Sequence, residues 1–193
     1  MFKYKRFNLI LIFVLLTSIP LIFKGYIAFI LPQYILFGVL AMSLAFIWGN
    51  AGILSFGQAS FFAIGGYTFG LLIKFFPEIN HFFLGSLIVI FLGFVVAVIT
   101  SYFLFSAGVK ATYFVLATLA LSILTEQLAV TKSTLTGGWN GLFVDRINIK
   151  VGDFTLLDLS GDVKFFYLIL FISLITYLIL NYLENNKIGK VLR

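Results

Sequence analysis

Apolar runs long enough to cross a bilayer recur along this chain, and they leave it few ways to fold. Roughly 20 consecutive apolar residues span the hydrocarbon core. Such runs can be marked at Phe7–Phe23, Tyr26–Trp48, Ser60–Phe75, Phe83–Ser106, Thr112–Val130 and Phe165–Leu183. Inside lipid every backbone N–H and C=O must find its partner within the protein, so runs of this kind become helices. Composition agrees, because 62% of the 193 residues are hydrophobic and only 10% charged, against roughly 25% charged in a soluble domain. The sequence therefore predicts an all-α polytopic membrane protein of about six transmembrane helices, a single membrane domain over 1–193 whose main solvent is lipid.

The first run follows Lys3, Lys5 and Arg6, as a signal peptide would, but no small-x-small cleavage site follows and further spans do. It is read as an uncleaved helix bent at its outer end by Pro20. Six spans put both termini on one side. With the N-terminus inside, the cytoplasmic segments hold Lys3, Lys5, Arg6, Lys110, Lys187, Lys190 and Arg193 against Glu184. The outer segments spread Lys24, Lys74, Lys132, Arg146, Lys150 and Lys164 over more residues, balanced by five acids, Glu78, Asp145, Asp153, Asp158 and Asp162. Basic density in short loops places both termini in the cytoplasm. The net charge of +6 belongs at the membrane boundary, so nucleic acid is excluded as a partner. The chain has no Cys, which removes disulfides, thiolate metal sites and a Cys nucleophile together.

Three segments depart from plain spans. Pro32 removes a backbone donor from the second run and should break or kink it, so that its regular part begins near Gln33. Gly49 to Ser60 is too polar and Gly-rich for a lipid-facing helix and too apolar for a solvated loop. Such a broken or re-entrant backbone must be buried in protein or line a wet cavity. In the third span Gly66 and Gly70 form a small-x-x-x-small face on which another helix can approach closely. The fifth span carries Thr118, Ser122, Thr125, Glu126 and Ala129 on one helical face, which should look into a bundle. The long loop 131–164 is expected outside, with Arg146–Val151 and Phe154–Asp158 forming a small β-hairpin about the Gly152-Asp153 turn.

The search for chemistry is mostly negative. Gly65 to Gly70 has the outer spacing of a phosphate loop, but Leu71 and Leu72 stand where Lys and Ser/Thr are needed. Ser55 has Gly57 after it but Ile53 two residues before, so the nucleophile elbow fails. His81 is the sole histidine, and without further ligands it makes no zinc site. No paired acids or Ser–base pair lies inside the spans, so no catalytic residue, metal or bound cofactor is expected. Glu126 is the one carboxylate inside a span. Either it reaches headgroup water or Lys132 from near the outer helix end, or it lines a polar substrate path.

Two motifs carry a resemblance. Ala45 to Tyr67, with Trp48-Gly49-Asn50-Ala51-Gly52 and Ser55-Phe56-Gly57-Gln58-Ala59-Ser60 inside it, resembles the hallmark segment of permease subunits of high-affinity branched-chain amino acid ABC transporters. Leu135-Thr136-Gly137-Gly138-Trp139-Asn140-Gly141-Leu142 resembles that family's second hallmark, after a span opening Tyr113 to Leu121. Ile188-Gly189-Lys190-Val191-Leu192-Arg193 resembles the start of its cytoplasmic coupling segment, here 184–193. The match runs from about Gln33 to the last residue, both motifs in order.

The resemblance implies a permease in the cell's inner membrane that moves leucine, isoleucine and valine by ATP-driven import and is not itself an enzyme. Its partners would be a homologous permease subunit, two cytoplasmic ATP-binding subunits that bind the ATP, an external or periplasmic substrate-binding protein, and membrane lipid. Ser55, Gln58 and Thr118, with Ser122 and Glu126, are expected along the substrate path, the alternative being helix packing and backbone capping in a buried break. Thr136, Gly137, Gly138, Asn140 and Gly141 would form an external motif, and Gly189, Lys190 and Arg193 the ATPase-facing end. Similar permeases handle urea or short-chain amides, which the segment Phe46–Gly49 does not exclude. A passive channel is the reading from another class. The chain stops at Arg193 where family members run on through the coupling helix and several more spans, so a fragment or truncated product is expected.

Overall fold

The apolar runs fold as helices because nothing else pairs their backbone in lipid. The protein, as a computed structural model, is described over residues 12–20, 22–23, 25–76, 81–106, 111–144, 149–151, 154–157, 159, 161–186 and 189. Helix α1 covers 12–20. It is followed by α2 (Tyr26–Ala51), α3 (Gln58–Phe75), α4 (Ser86–Ser106), α5 (Ala111–Thr131), α6 (Ser133–Thr136) and α7 (Asp162–Asn185). A π-helical turn, His81–Gly85, leads into α4, and a 3-10 turn, Gly138–Asn140, follows α6. Between that turn and α7, strands β1 (Ile149–Val151) and β2 (Phe154–Leu157) pair antiparallel, Lys150 opposite Thr155 and Val151 opposite Phe154, with an irregularity beside Ile149. The turn residues 152–153 and the segment 145–148 lie outside the described residues.

Among the described residues four helices are long and apolar enough to cross a membrane, Tyr26–Ala51, Phe83–Leu104, Tyr113–Thr131 and Asp162–Asn185. Six were expected. The first run falls partly outside the described residues, with 12–20 helical. Helix α3 is the other difference: its 18 residues include Gln58, Lys74 and three glycines, which dilute its apolarity and suit it to a place among other helices.

Pro32 does not end its helix. Helix α2 runs from Tyr26 to Ala51 with Pro32 inside it. Ala28, one turn before, holds the carbonyl that the proline leaves without its helical donor, and both residues are buried. A neighbouring helix tolerates and covers such a defect in a membrane bundle. Helix α7 is the neighbour against which α2 packs most extensively, and its buried face is Phe166, Ile169, Leu170 and Ser173. Helix α1 joins the same group, the Tyr167 hydroxyl donating to the Thr17 carbonyl at 3.1 Å.

The second group is α3 with α4 and α5. Two hydrogen bonds fix how α3 meets α5: Phe56 N–H to Thr118 and Ser60 to Ser122, each spanning 62 residues. A constant separation one turn further along means the two helices run parallel and in step, as two spans separated by a single returning helix must. The two groups meet where α2 lies beside α3, with the rings of Phe37 and Phe62 6.4 Å apart.

The glycine pair on α3 divides. A Cβ on Gly70 would meet Leu142 Cδ2 at 2.7 Å and Val144 Cγ2 at 3.5 Å, whereas one on Gly66 would meet nothing within 4 Å. The close approach at this end is therefore made by the chain after α5 folding back over α3, at Gly70, and among the described residues Gly66 has no part in it. Gly70→Leu should displace Leu142 and Val144 and cost about 1–3 kcal/mol of stability through overpacking, while Gly66→Leu leaves the isolated chain unchanged. Thermal unfolding of the two variants in detergent checks the difference.

Candidate functional site

Helix α2 ends because Gly52 takes a left-handed conformation, φ 65°, and its N–H closes on the Trp48 carbonyl at 3.0 Å. That cap needs a residue without Cβ. Just before it, the buried Asn50 returns its side-chain amide to the Phe46 carbonyl at 2.9 Å. From Gly52 to Phe56 the chain is non-helical, and α3 starts at Gln58. A break in a membrane bundle strands backbone polar groups, each costly if unpaired.

The polar face of α5 supplies the missing partners. Thr118 Oγ1 accepts the Phe56 N–H at 3.2 Å, and Ser122 Oγ donates to the Phe56 carbonyl at 2.6 Å. Both polar groups of one peptide residue are thus held from a neighbouring helix one turn apart. Ser55 Oγ accepts the Gly57 N–H at 3.3 Å, a local turn that opens α3. Ser60, 1% exposed, donates to Ser122 at 3.2 Å. Thr118 itself, 4% exposed, donates to the Val115 carbonyl at 3.0 Å. Gly57 lies against the Thr118 side chain, a Cβ there meeting Thr118 Cβ at 3.5 Å. The Gln58 amide oxygen is buried with no hydrogen-bond partner among the described residues.

Beyond this knot α3 and α5 part to leave a cleft of about 380 Å³. Its walls are Ala59, Ser60, Ala63 and Tyr67 of α3, and Ser122, Thr125, Glu126, Ala129 and Val130 of α5. Gly138 and Trp139 complete the lining. The turn that carries them is tied to α5 by Thr136, whose hydroxyl donates to the Ala129 carbonyl at 2.5 Å and accepts the Gly138 N–H at 3.2 Å. Gly137 sits at φ 79°, and a Cβ there would collide with the Gly141 carbonyl. The Asn140 N–H closes on Gly137 and the Gly141 N–H on Gly138. The motif Thr136–Gly141 is thus a compact cap on the end of α5.

The residues expected along a substrate path separate into two places. Ser55, Gln58 and Thr118 belong to the break, while Ser122 joins break and cleft and Glu126 lines the cleft alone. Glu126 is exposed and has no ion pair or hydrogen bond to a described residue, Lys132 included. Ser60, Ala63, Tyr67 and Trp139 were not singled out as site residues. The small side chains at Ala59 and Ala63, four residues apart, were the available signal. At the far end of the chain Gly189 is buried, and a Cβ there would run into the backbone of Glu184. Lys190 and Arg193 lie outside the described residues.

Against known proteins, a family model described as branched-chain amino acid transport system / permease component matches residues 26–193. No curated protein and no solved structure gives a significant match.

Thr118→Val keeps the shape and removes the acceptor of the Phe56 N–H. The expected loss is about 1 kcal/mol, seen as roughly fivefold faster amide exchange at Phe56 than in the native chain, with Thr118→Ser close to native. Equal exchange in all three would show that another group holds the break.

Proposed function

The chain belongs to the branched-chain amino acid transport permease family, and on that premise we propose that it is the membrane-spanning permease subunit of an ATP-driven ABC importer. It carries leucine, isoleucine and valine across the inner membrane by alternating access. Both termini face the cytoplasm, and the hairpin β1–β2 and the Thr136–Gly141 cap face outside. ATP is bound and hydrolysed by two cytoplasmic partner subunits, a homologous permease completes the path, and an external binding protein delivers the substrate.

The observation that carries the reading is the wall made by α3 and α5. The irregular connection Gly52–Gly57 between α2 and α3, with Phe56 held by hydroxyls of α5, leads to a small-molecule-sized cleft between α3 and α5. Thr118 and Ser122 serve this path by holding its wall, since their hydroxyls are engaged by Phe56. Glu126 and the residues around it face the solute. The large share of apolar surface left uncovered supports partners in the membrane: only 6% of the span in α4 and in α5 is buried within the chain. Gly189, with Lys190 and Arg193 after it, begins the segment that docks the ATPases.

Uptake of labelled leucine, isoleucine, valine and urea, compared in cells with the native gene intact and deleted, tests the substrate. Loss of the three amino acids alone is expected. Loss of urea alone would move the protein to the amide branch, and flux in proteoliposomes without nucleotide would make it a channel. At the cytoplasmic end, reversing the charges of Lys190 and Arg193 should lower co-purification of the ATPases severalfold while membrane insertion is kept.

A further inference from the structure

The α3–α5 cleft is uneven in its polar chemistry. Its serine and threonine hydroxyls already have acceptors: Ser60 donates to Ser122, Ser122 to the Phe56 carbonyl and Thr125 to the Leu121 carbonyl at 2.8 Å. The Gly138 N–H is taken by Thr136. A hydroxyl has one proton to give, so none of these can anchor a ligand acceptor without breaking the wall. What remains is the Glu126 carboxylate, without a partner among the described residues, and the polar tips of Tyr67 and Trp139. Among the described residues no Lys or Arg lines the cleft, so the formal charge of that lining is that of Glu126. The rest of the lining is alanine, valine and aromatic surface.

An exposed, unpartnered carboxylate in an otherwise uncharged lining attracts a cation, and the aromatic rings of Tyr67 and Trp139 in the same lining add to that attraction. We propose that Glu126 is the binding residue for a primary ammonium group attached to a short aliphatic body, so that the cleft reads the amino end of its ligand. The inference rests on the reading of this cleft as part of the substrate path. It assigns the rejection of neutral amides such as urea to one side chain, because an uncharged ligand leaves the carboxylate without a counterion. An acid lacking the amino group is turned away more strongly, by like charge.

The test uses the full chain in detergent carrying Trp48→Phe, which leaves Trp139 as the sole tryptophan of the two. 3-Methylbutylamine should change Trp139 emission saturably, and 3-methylbutan-1-ol should not. Glu126→Gln should weaken the amine response at least tenfold, and Glu126→Asp should keep most of it. Superimposable amine titrations of the native and Gln chains, or an equal response to the alcohol, would overturn the proposal. Ethanolamine lipids carry the same ammonium chemistry, so the titration is repeated in phosphatidylcholine and in phosphatidylethanolamine nanodiscs. A response retained in both supports a solute site, and one abolished by the ethanolamine lipid assigns the carboxylate to headgroups and overturns it. In the complete transporter Glu126→Gln should slow leucine uptake at least tenfold, and native-like uptake would count against the proposal. If the native assembly moves no branched-chain amino acid while the amine still binds, the proposed function fails and the ammonium site stands.

Discussion

A peptide group packed among helices away from water needs a partner within the protein, and the architecture of this protein follows from how it supplies one where the chain leaves the helix. The break between Gly52 and Gly57 frees polar groups that a continuous helix would have paired internally. Thr118 and Ser122 answer both polar groups of Phe56, and that fixes the lateral position, direction and rotation of α5 against α3. Once those are set, Ser60 meets Ser122 one turn on, and the cleft beyond them takes its shape.

The second group of helices is held differently. Helices α2 and α7 bury Ala28, Pro32, Phe166, Ile169 and Leu170, and α1 is tied to α7 by the Tyr167 hydroxyl on the Thr17 carbonyl. Between helices in lipid there is no hydrophobic gain, only packing and polar contacts, so small and well-shaped surfaces carry the association. The protein thus combines a group fastened by several hydrogen bonds around an irregular segment with a group fastened mainly by fit. Long stretches of α4 and α5 stay uncovered by the described residues. Such faces meet lipid or other subunits, as suits a member of a transport permease family.

Much of this was legible beforehand, for physical reasons that differ from place to place. The glycines and polar residues between Gly49 and Ser60 marked a break because their composition fits neither lipid nor water. The stripe Thr118, Ser122, Thr125, Glu126 marked an inward face because helical periodicity puts those positions together, and it meets α3 there. The alternation around Lys150 and Thr155 marked strands that do pair. Other features resisted. Pro32 has the same chemistry in a helix that ends as in one that continues, and a packed neighbour decides between them. Gly66 and Gly70 are equivalent in the motif they make, yet only Gly70 meets Leu142 and Val144, because the loop after α5 returns over one end of α3 and not the other.

By itself the sequence determined the solvent, the secondary structure of the long runs, the position of the break and the family, because these depend on local composition, periodicity and short motifs. Only the tertiary structure decided which hydroxyls hold the wall and that the Glu126 carboxylate lines the cleft without a described partner. That division depends on the rotation and stagger of α3 against α5, a relation between residues 62 positions apart. A side chain's role in a membrane protein of this kind follows from whether a neighbour has already engaged its hydrogen bonds, and that is a property of the packed bundle.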